Sequence, residues 1–89
     1  MTTDLLLIEI KAEMDRGTEL YGDFASPHEG YAVIKEELDE LWLLIRYHEG
    51  DSDEAKREAI QIAAMALKYI LCCVQKDHSS EFVIGKDAL

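Results

Sequence analysis

The sequence predicts an all-α fold, a helical bundle of three main helices that is completed by homodimerisation. Three observations favour this fold. Only one proline and five glycines interrupt the 89 residues, apolar residues recur at helical spacing, and no convincing strand alternation precedes the last residues. The length fits one domain. We place a single helical domain at residues 1–78 and a C-terminal tail or arm at residues 79–89.

The first predicted helix runs from about Thr3 to Leu20. Its apolar side chains recur at the spacing of one helix face, at Leu6, Leu7, Ile10 and Met14. The stretch "YGDFASPHEG" then contains two glycines and the single proline, and it ends the helix.

The second predicted helix has a clear start signal. Ser26 can cap it, Pro27 occupies the first helical position, and Glu29 completes a capping box. The helix is expected to run from Pro27 to about Tyr47 or His48. On a helical wheel its core stripe consists of Ile34, Leu38, Leu41 and Ile45.

The third predicted helix follows the turn "HEGDSD" and runs from about Ser52 to Lys76, with Asp51 and Glu54 offering a capping pattern. Between Ile62 and Val74 its only charge is Lys68, and apolar residues point in nearly every direction. A helix that is apolar all round is a buried one. Three helices can hardly enclose it, so a second copy of the chain is expected to cover the remaining side.

Composition and charge exclude several classes of function. The formal net charge of −10 disfavours nucleic acid and anionic membranes as partners, since both require a basic surface. The N-terminal "MTTDLLLIEI" lacks the basic start of a signal peptide, and the longest apolar run is too short to span a bilayer. The adjacent Cys72 and Cys73 are read as small buried residues in a reducing compartment. A cytoplasmic location is therefore expected.

The stretch "KEELDEL", residues 35–41, holds four carboxylates. The wheel places Glu37 beside the core stripe and Glu40 next to it one turn on, whereas Glu36 lies toward solvent and Asp39 lies roughly opposite Glu37. The third helix carries a polar-marked stripe on an otherwise apolar surface, formed by Glu54, Glu58, Gln61, Met65, Lys68 and Cys72.

An antiparallel pairing of the second and third helices is favoured by their short connection. It would bring Glu37 and Glu40 close to Glu58 and Gln61, in a register that the sequence leaves open. Such a four-point clamp suits a hard cation, Mg²⁺ with Mn²⁺ as an alternative. The competing interpretation is that these carboxylates are only a solvated helix face.

The stretch "EELDE" resembles the EExxE element of the MazG-type, all-alpha nucleoside triphosphate pyrophosphohydrolases. The second element of that family, ExxD, has the counterpart "EAIQ", in which Gln61 stands where the aspartate is expected. The surrounding "HEGYAVIKEELDELW" and "REAIQIAAMALKYI" are similar to small MazG-like proteins of phages and bacteria. The resemblance covers about residues 28–71.

This resemblance implies a Mg²⁺-dependent enzyme that cleaves nucleoside triphosphates between the α and β phosphates, giving the monophosphate and pyrophosphate. It implies a homodimer, or a tetramer built from dimers. The net charge adds the expectation that neither nucleic acid nor a membrane is a partner. Carried over to this sequence, Glu37, Glu40, Glu58 and Gln61 would be metal ligands. Glu36 would be a further ligand or the base for water, so that Glu36 and Glu37 are the catalytic candidates.

Gln61 departs from the family pattern, because an amide oxygen brings no negative charge to a cation. Three interpretations follow: a working enzyme with a modified site, a protein that binds nucleotide or metal without hydrolysis, and a helical module that binds only a partner. We favour the first.

Two basic side chains are candidates for substrate binding. Lys68 could touch a phosphate oxygen, or it could extend from a buried helix to solvent. His28 lies in the first turn of the second helix, where anions are favoured, or it is an ordinary surface histidine. Trp42 and Tyr31 could stack on a base or pack against a neighbouring helix.

Overall fold

A computed structural model describes residues 1–74, which fold into three α-helices without a strand. Helix α1 spans Thr3–Tyr21, α2 spans Pro27–Arg46 and α3 spans Asp53–Tyr69. The chain then continues in a π-helical segment, Ile70–Val74. The all-α prediction is confirmed. The predicted domain limit at residue 78, the end of the third helix at Lys76 and the tail at residues 79–89 lie outside the described residues.

Each α-helix begins at a hydroxyl side chain that accepts a hydrogen bond from the first turn. Thr2 accepts from the backbone N–H of Leu5 at 3.2 Å, and Ser26 accepts from that of Glu29 at 3.1 Å. Side-chain caps of this kind satisfy backbone donors that the helix leaves unpaired. The predicted start of α2 at Ser26 and Pro27 is therefore confirmed, and this start determines the register of the carboxylates that follow.

The cap of α3 differs from the predicted one. Ser52 accepts from the backbone N–H of Ala55 at 3.1 Å and donates to the carbonyl of Glu49 at 2.7 Å. The expected pattern of Asp51 with Glu54 was wrong. The hydroxyl of Ser52 serves both as a cap for α3 and as a tie to the preceding turn, a dual role that a carboxylate cannot fill.

Helix α3 packs against both other helices, parallel to α1 and antiparallel to α2. Along α1, a Cβ at Gly17 would lie 3.6 Å from the Met65 methyl carbon, and Glu9 lies 3.8 Å from Lys56. Along α2, Gly30 lies against Tyr69, while Glu37 lies near Gln61 as described below. The predicted antiparallel pairing of α2 and α3 is thus confirmed.

The core of the single chain is small. Its buried residues are Phe24, Ala64, Met65 and Cys72, and partly buried apolar side chains surround them. Within the described residues no large side chain is fully buried. Both cysteines are free, and Cys72 is buried as predicted, whereas Cys73 is only half-buried.

The predicted core stripe of α2 was only half right. Ile34 and Leu41 are half-buried, but Leu38 and Ile45 are 48% and 45% exposed. The face of α2 that lies against α3 is formed by Gly30, Val33, Ile34, Glu37, Leu41 and Leu44. At 100° per residue this face is rotated by roughly 60° from the predicted stripe. The reason is that Gly30 and Glu37, which a search for apolar residues passes over, lie at its centre.

The rotation leaves an exposed row of large apolar side chains along α2. We call it the α2 apolar face; it consists of Tyr31, Leu38, Trp42 and Ile45, which are 45–65% exposed. Leu67 in α3 and Ile70 and Leu71 in the π-helical segment are also exposed in the single chain, so the burial expected on all sides of this helix stays a prediction for the homodimer. Among residues 1–74, no helix has the length and apolar character needed to cross a bilayer.

Candidate functional site

The rotation of α2 turns Glu37 toward α3. Glu37 is half-buried on the face that packs against α3, one turn after Ile34 and one turn before Leu41. The predicted position of Glu37, at the edge of the core stripe, was therefore too far out. A carboxylate in such a place loses part of its hydration and needs a proton, a donor or a cation beside it.

Three carboxylates from two helices converge at this point. One carboxylate oxygen each of Glu37, Glu40 and Glu58 lies within 4.8 Å of the other two. Glu37 and Glu58 are half-buried, and Glu40 is exposed at the rim. We call these three residues the carboxylate cluster. The predicted proximity of Glu37 and Glu40 to Glu58 is confirmed as geometry.

Gln61 contacts the cluster as a donor. With its amide nitrogen turned toward α2, it donates to the two carboxylate oxygens of Glu37 at 2.8 and 2.9 Å, the orientation that satisfies both side chains. In this state its nitrogen, rather than the oxygen that was predicted to be a metal ligand, points into the cluster. A cation in the cluster would require the amide to rotate for its oxygen to become a ligand.

The electrostatics of the cluster favour an added positive charge. Burial, together with a hydrogen bond to Glu58 and the negative charges of Glu58 and Glu40, raises the pKa of Glu37 to about 8. The amide donors of Gln61 act in the opposite direction, because they favour the ionised carboxylate. Oxygen Oε1 of Glu58 is buried without a hydrogen-bond partner among the described residues.

This donor set fits a divalent cation. Carboxylate oxygens are the ligands that Mg²⁺ and Mn²⁺ prefer in proteins. A cation would neutralise the repulsion within the cluster and would give the unpaired Glu58 oxygen a partner. Both effects remove a cost that the cluster carries in the metal-free state.

A cavity of about 450 Å³ adjoins the cluster, a size within the range of small-molecule sites. Glu36, Glu37 and Gln61 line it beside the cluster, and the end of α1 with the following loop, residues 21–24, also lines it. Five carboxylates border the cavity but only two basic side chains, Arg16 and Lys68. An anionic ligand would therefore need a cation to bind there.

The remaining candidates of the "KEELDEL" stretch take the expected places. Glu36 is exposed and lines the cavity beside Glu37. Asp39 lies on the surface, where it pairs with Lys35 at 2.9 Å, so it does not belong to the cluster. Glu36 can reach a ligand in the cavity, whereas Asp39 cannot.

The two predicted substrate-binding residues lie in different environments. Lys68 is 4% exposed, and its ammonium donates to the carbonyl of Gly22 at 2.7 Å. It lines the cavity and does not extend to solvent, which was the alternative interpretation. His28 is exposed in the first turn of α2 and is not among the described residues that line the cavity.

Helix α1 contributes residues to the cavity that the sequence did not predict. Arg16 lines the cavity and pairs with Glu13 at 2.6 Å, and that contact raises its pKa. Tyr21 and Phe24 form part of the cavity wall. The sequence feature that could have indicated this wall is Phe24, the single aromatic residue between α1 and α2. The sequence predicts that stretch only as a helix break.

A comparison of the chain with models of protein families, with curated proteins and with solved structures finds no match. The resemblance to the MazG-type proteins therefore stays a prediction that depends on the motif residues.

Proposed function

We propose that this chain is a Mg²⁺-dependent nucleoside triphosphate pyrophosphohydrolase. One observation carries the proposal: the carboxylate cluster of Glu37, Glu40 and Glu58, within 4.8 Å, adjoins a cavity large enough for a small ligand. The geometry supports a divalent cation and a ligand that binds through it. Cleavage between the α and β phosphates is inferred from the resemblance to the MazG-type family.

Glu37, Glu40 and Glu58 would hold the cation. When bound, Mg²⁺ supplies charge neutralisation and polarisation of the phosphate oxygens. Gln61 completes this set only if its amide oxygen turns inward, and it then adds no negative charge. We therefore expect weaker cation binding than four carboxylates would give.

Glu36 has the position of a general base. It is exposed at the wall of the cavity beside Glu37, where it can take a proton from water. The oxygen of that water then bonds to the α phosphorus, and the bond from the α phosphorus to the bridging oxygen breaks. The products are the monophosphate and pyrophosphate. The raised pKa of Glu37 makes its carboxylate a poor ligand until a cation replaces the proton.

The test is pyrophosphate release from a panel of canonical and damaged nucleoside triphosphates with Mg²⁺. Glu37→Gln and Glu40→Gln should each abolish the activity, whereas Glu36→Gln should lower kcat. Asp39→Asn is the matched control, because it removes a carboxylate from the same helix turn without touching the cluster. If no member of the panel releases pyrophosphate, the proposal fails.

The orientation of Gln61 favours a second candidate function, a MazG-like helical module that binds metal, nucleotide or only a partner without catalysis. The amide donates to both oxygens of Glu37, and so it stabilises the cluster without a cation. This candidate predicts Mg²⁺ binding without turnover. Gain of pyrophosphate release in Gln61→Asp would identify a site that has lost its fourth carboxylate.

We further propose that the chain forms a homodimer through the α2 apolar face, with a tetramer built from dimers as the larger alternative. Tyr31 and Trp42 are 65% and 57% exposed on one side of α2, and contiguous exposed apolar surface of this kind marks interaction sites. The small core of the single chain agrees with additional burial between copies.

A further inference from the structure

The α1–α2 loop is held to α3 by one buried cation. The ammonium of Lys68 donates to the Gly22 carbonyl at 2.7 Å and lies 4.6 Å from the centre of the Phe24 ring. The other side-chain hydrogen bonds outside the carboxylate cluster join residues at most four positions apart among the described residues. Among the described residues, Lys68 is thus the polar link between this loop and α3.

Packing supports the same link. Phe24 is buried in the core, and a Cβ at Gly30 would lie 3.0 Å from its ring and 2.7 Å from that of Tyr69. The backbone of Gly22 has a φ of 78°, a conformation that glycine adopts without strain. This conformation turns the carbonyl of Gly22 toward α3, where the Lys68 ammonium donates a hydrogen bond to it.

The loop and Glu37 of the carboxylate cluster border the same cavity. Tyr21, Gly22 and Phe24 line it near Lys68. Glu37 lines it near Gln61, which precedes Lys68 by seven residues and so by roughly 10 Å along α3. In the proposed function the phosphates lie beside Glu37, because the cation that binds them is held by the carboxylate cluster. The rest of the ligand, the nucleoside, then extends toward the loop, where Tyr21 is 81% exposed and can stack on a base.

We infer that Lys68 is a positioning residue that acts through the Gly22–Phe24 segment. It holds this segment in place, and the segment forms the nucleoside-binding wall of the cavity. The inference rests on the proposed function, and it replaces direct phosphate contact as the role of Lys68. Loss of the ammonium should release the loop and weaken nucleotide binding, while the cation site at the carboxylate cluster is unchanged.

Lys68→Met tests this inference, with Lys56→Met as the matched control, since Lys56 is an exposed lysine of the same helix. Three quantities are compared with wild type: amide hydrogen exchange in residues 22–25, the Kd for Mg²⁺ alone, and the Kd for α,β-imido analogues of the common deoxynucleoside triphosphates with Mg²⁺. We expect faster exchange and a roughly tenfold weaker analogue Kd in Lys68→Met, as for loss of a charged hydrogen bond. The Kd for Mg²⁺ should stay at the wild-type value.

Two further variants guard against misfolding of Lys68→Met. Lys68→Arg retains a donor and a cation and should restore part of the affinity, and Phe24→Leu keeps an apolar side chain but removes the ring face. If Lys68→Met keeps the wild-type hydrogen exchange in residues 22–25, or the wild-type Kd for the analogue, this inference is wrong. The proposed function is unaffected by that result. Binding of Mg²⁺ but of no analogue by the wild-type chain overturns the proposed function, and this inference with it.

Discussion

With its nitrogen turned toward α2, the amide of Gln61 on α3 donates to both carboxylate oxygens of ionised Glu37, at 2.8 and 2.9 Å. The two side chains lie across the packed interface of the helices, and Glu58 and Glu40 surround them. A neutral donor thus occupies the place beside Glu37 where a fourth carboxylate would repel it. Because glutamine stands here instead of a fourth carboxylate, the metal-free chain is more stable, and a bound cation has one charged ligand fewer.

Gln61→Asp should lower the stability of the metal-free chain and increase the stabilisation by Mg²⁺. The introduced carboxylate adds repulsion to the cluster, so the Tm without metal should fall. Mg²⁺ should then raise the Tm by more than it does in the wild-type chain, since a ligand that binds the folded state stabilises it. Thermal melts with and without Mg²⁺ check this, and Gln61→Asn is the control that keeps the amide. An equal Mg²⁺ response in all three proteins would place Gln61 outside the cation site.

The stability of the metal-free chain should decrease as pH rises between about 4.5 and 8, the ordinary and the raised pKa of Glu37. In this window the folded state holds a proton that the unfolded state has released, so each rise in pH favours unfolding. The effect is roughly 1 kcal/mol, allowing for solvent screening of a partly exposed group. Melting temperatures across this range check it. Glu37→Gln cannot titrate and should show a flatter profile, and a profile as steep as that of wild type would remove Glu37 as the cause.

Gly30→Ala should destabilise the fold, and Gly17→Ala should not. A Cβ at Gly30 would lie 2.7 Å from the Tyr69 ring, whereas one at Gly17 would make an ordinary contact at 3.6 Å with Met65. Overpacking costs about 1–3 kcal/mol, and replacement of a helical glycine by alanine gains up to about 1 kcal/mol. Urea denaturation of both variants measures the two free energies of unfolding. Equal stability of the pair would show that Tyr69 moves aside without cost.

Leu38→Glu should dissociate the proposed homodimer. Leu38 lies in the α2 apolar face, and Leu43 has the same 48% exposure but lies about 140° away around the helix. Leu43→Glu is therefore the matched control. Sedimentation equilibrium should show a dimer Kd raised roughly tenfold or more in Leu38→Glu alone, the size expected for a charge placed in an apolar interface. A monomeric wild-type chain, or equal effects of the two substitutions, would rule out this interface.

The sequence predicted α3 well because its inward stripe is marked by residue types that stand out. Glu58, Gln61 and Lys68 lie on one stripe of α3, and this stripe faces the bundle interior from Glu58 onward, whereas Glu54 at its start is exposed. The predicted stripe of α2 was rotated because its contact with α3 is made by Gly30 and Glu37. Neither residue is apolar. The apolar residues of α2 lie both on its core-facing side and on the α2 apolar face, so their spacing alone does not distinguish the two.

The wall of the cavity could not be predicted for a different reason. The contact between Lys68 and Gly22 joins residues that are 46 positions apart, and no local pattern encodes such a distance. Nor does the sequence reveal which amide atom of Gln61 faces Glu37, because that orientation depends on the carboxylate it meets. The proximity of Glu37 and Glu40 to Glu58 was predictable, since a helical repeat and a short connection favour it, but the register of the two helices was not.

Gln61 and Lys68 lie on the same face of α3, seven residues apart, which corresponds to roughly 10 Å along the helix axis. One contacts the carboxylate cluster and the other holds the loop. Helix α3 is thus a rigid connector between these two contacts. A ligand that shifts or rotates this helix at one contact is therefore expected to displace the other as well.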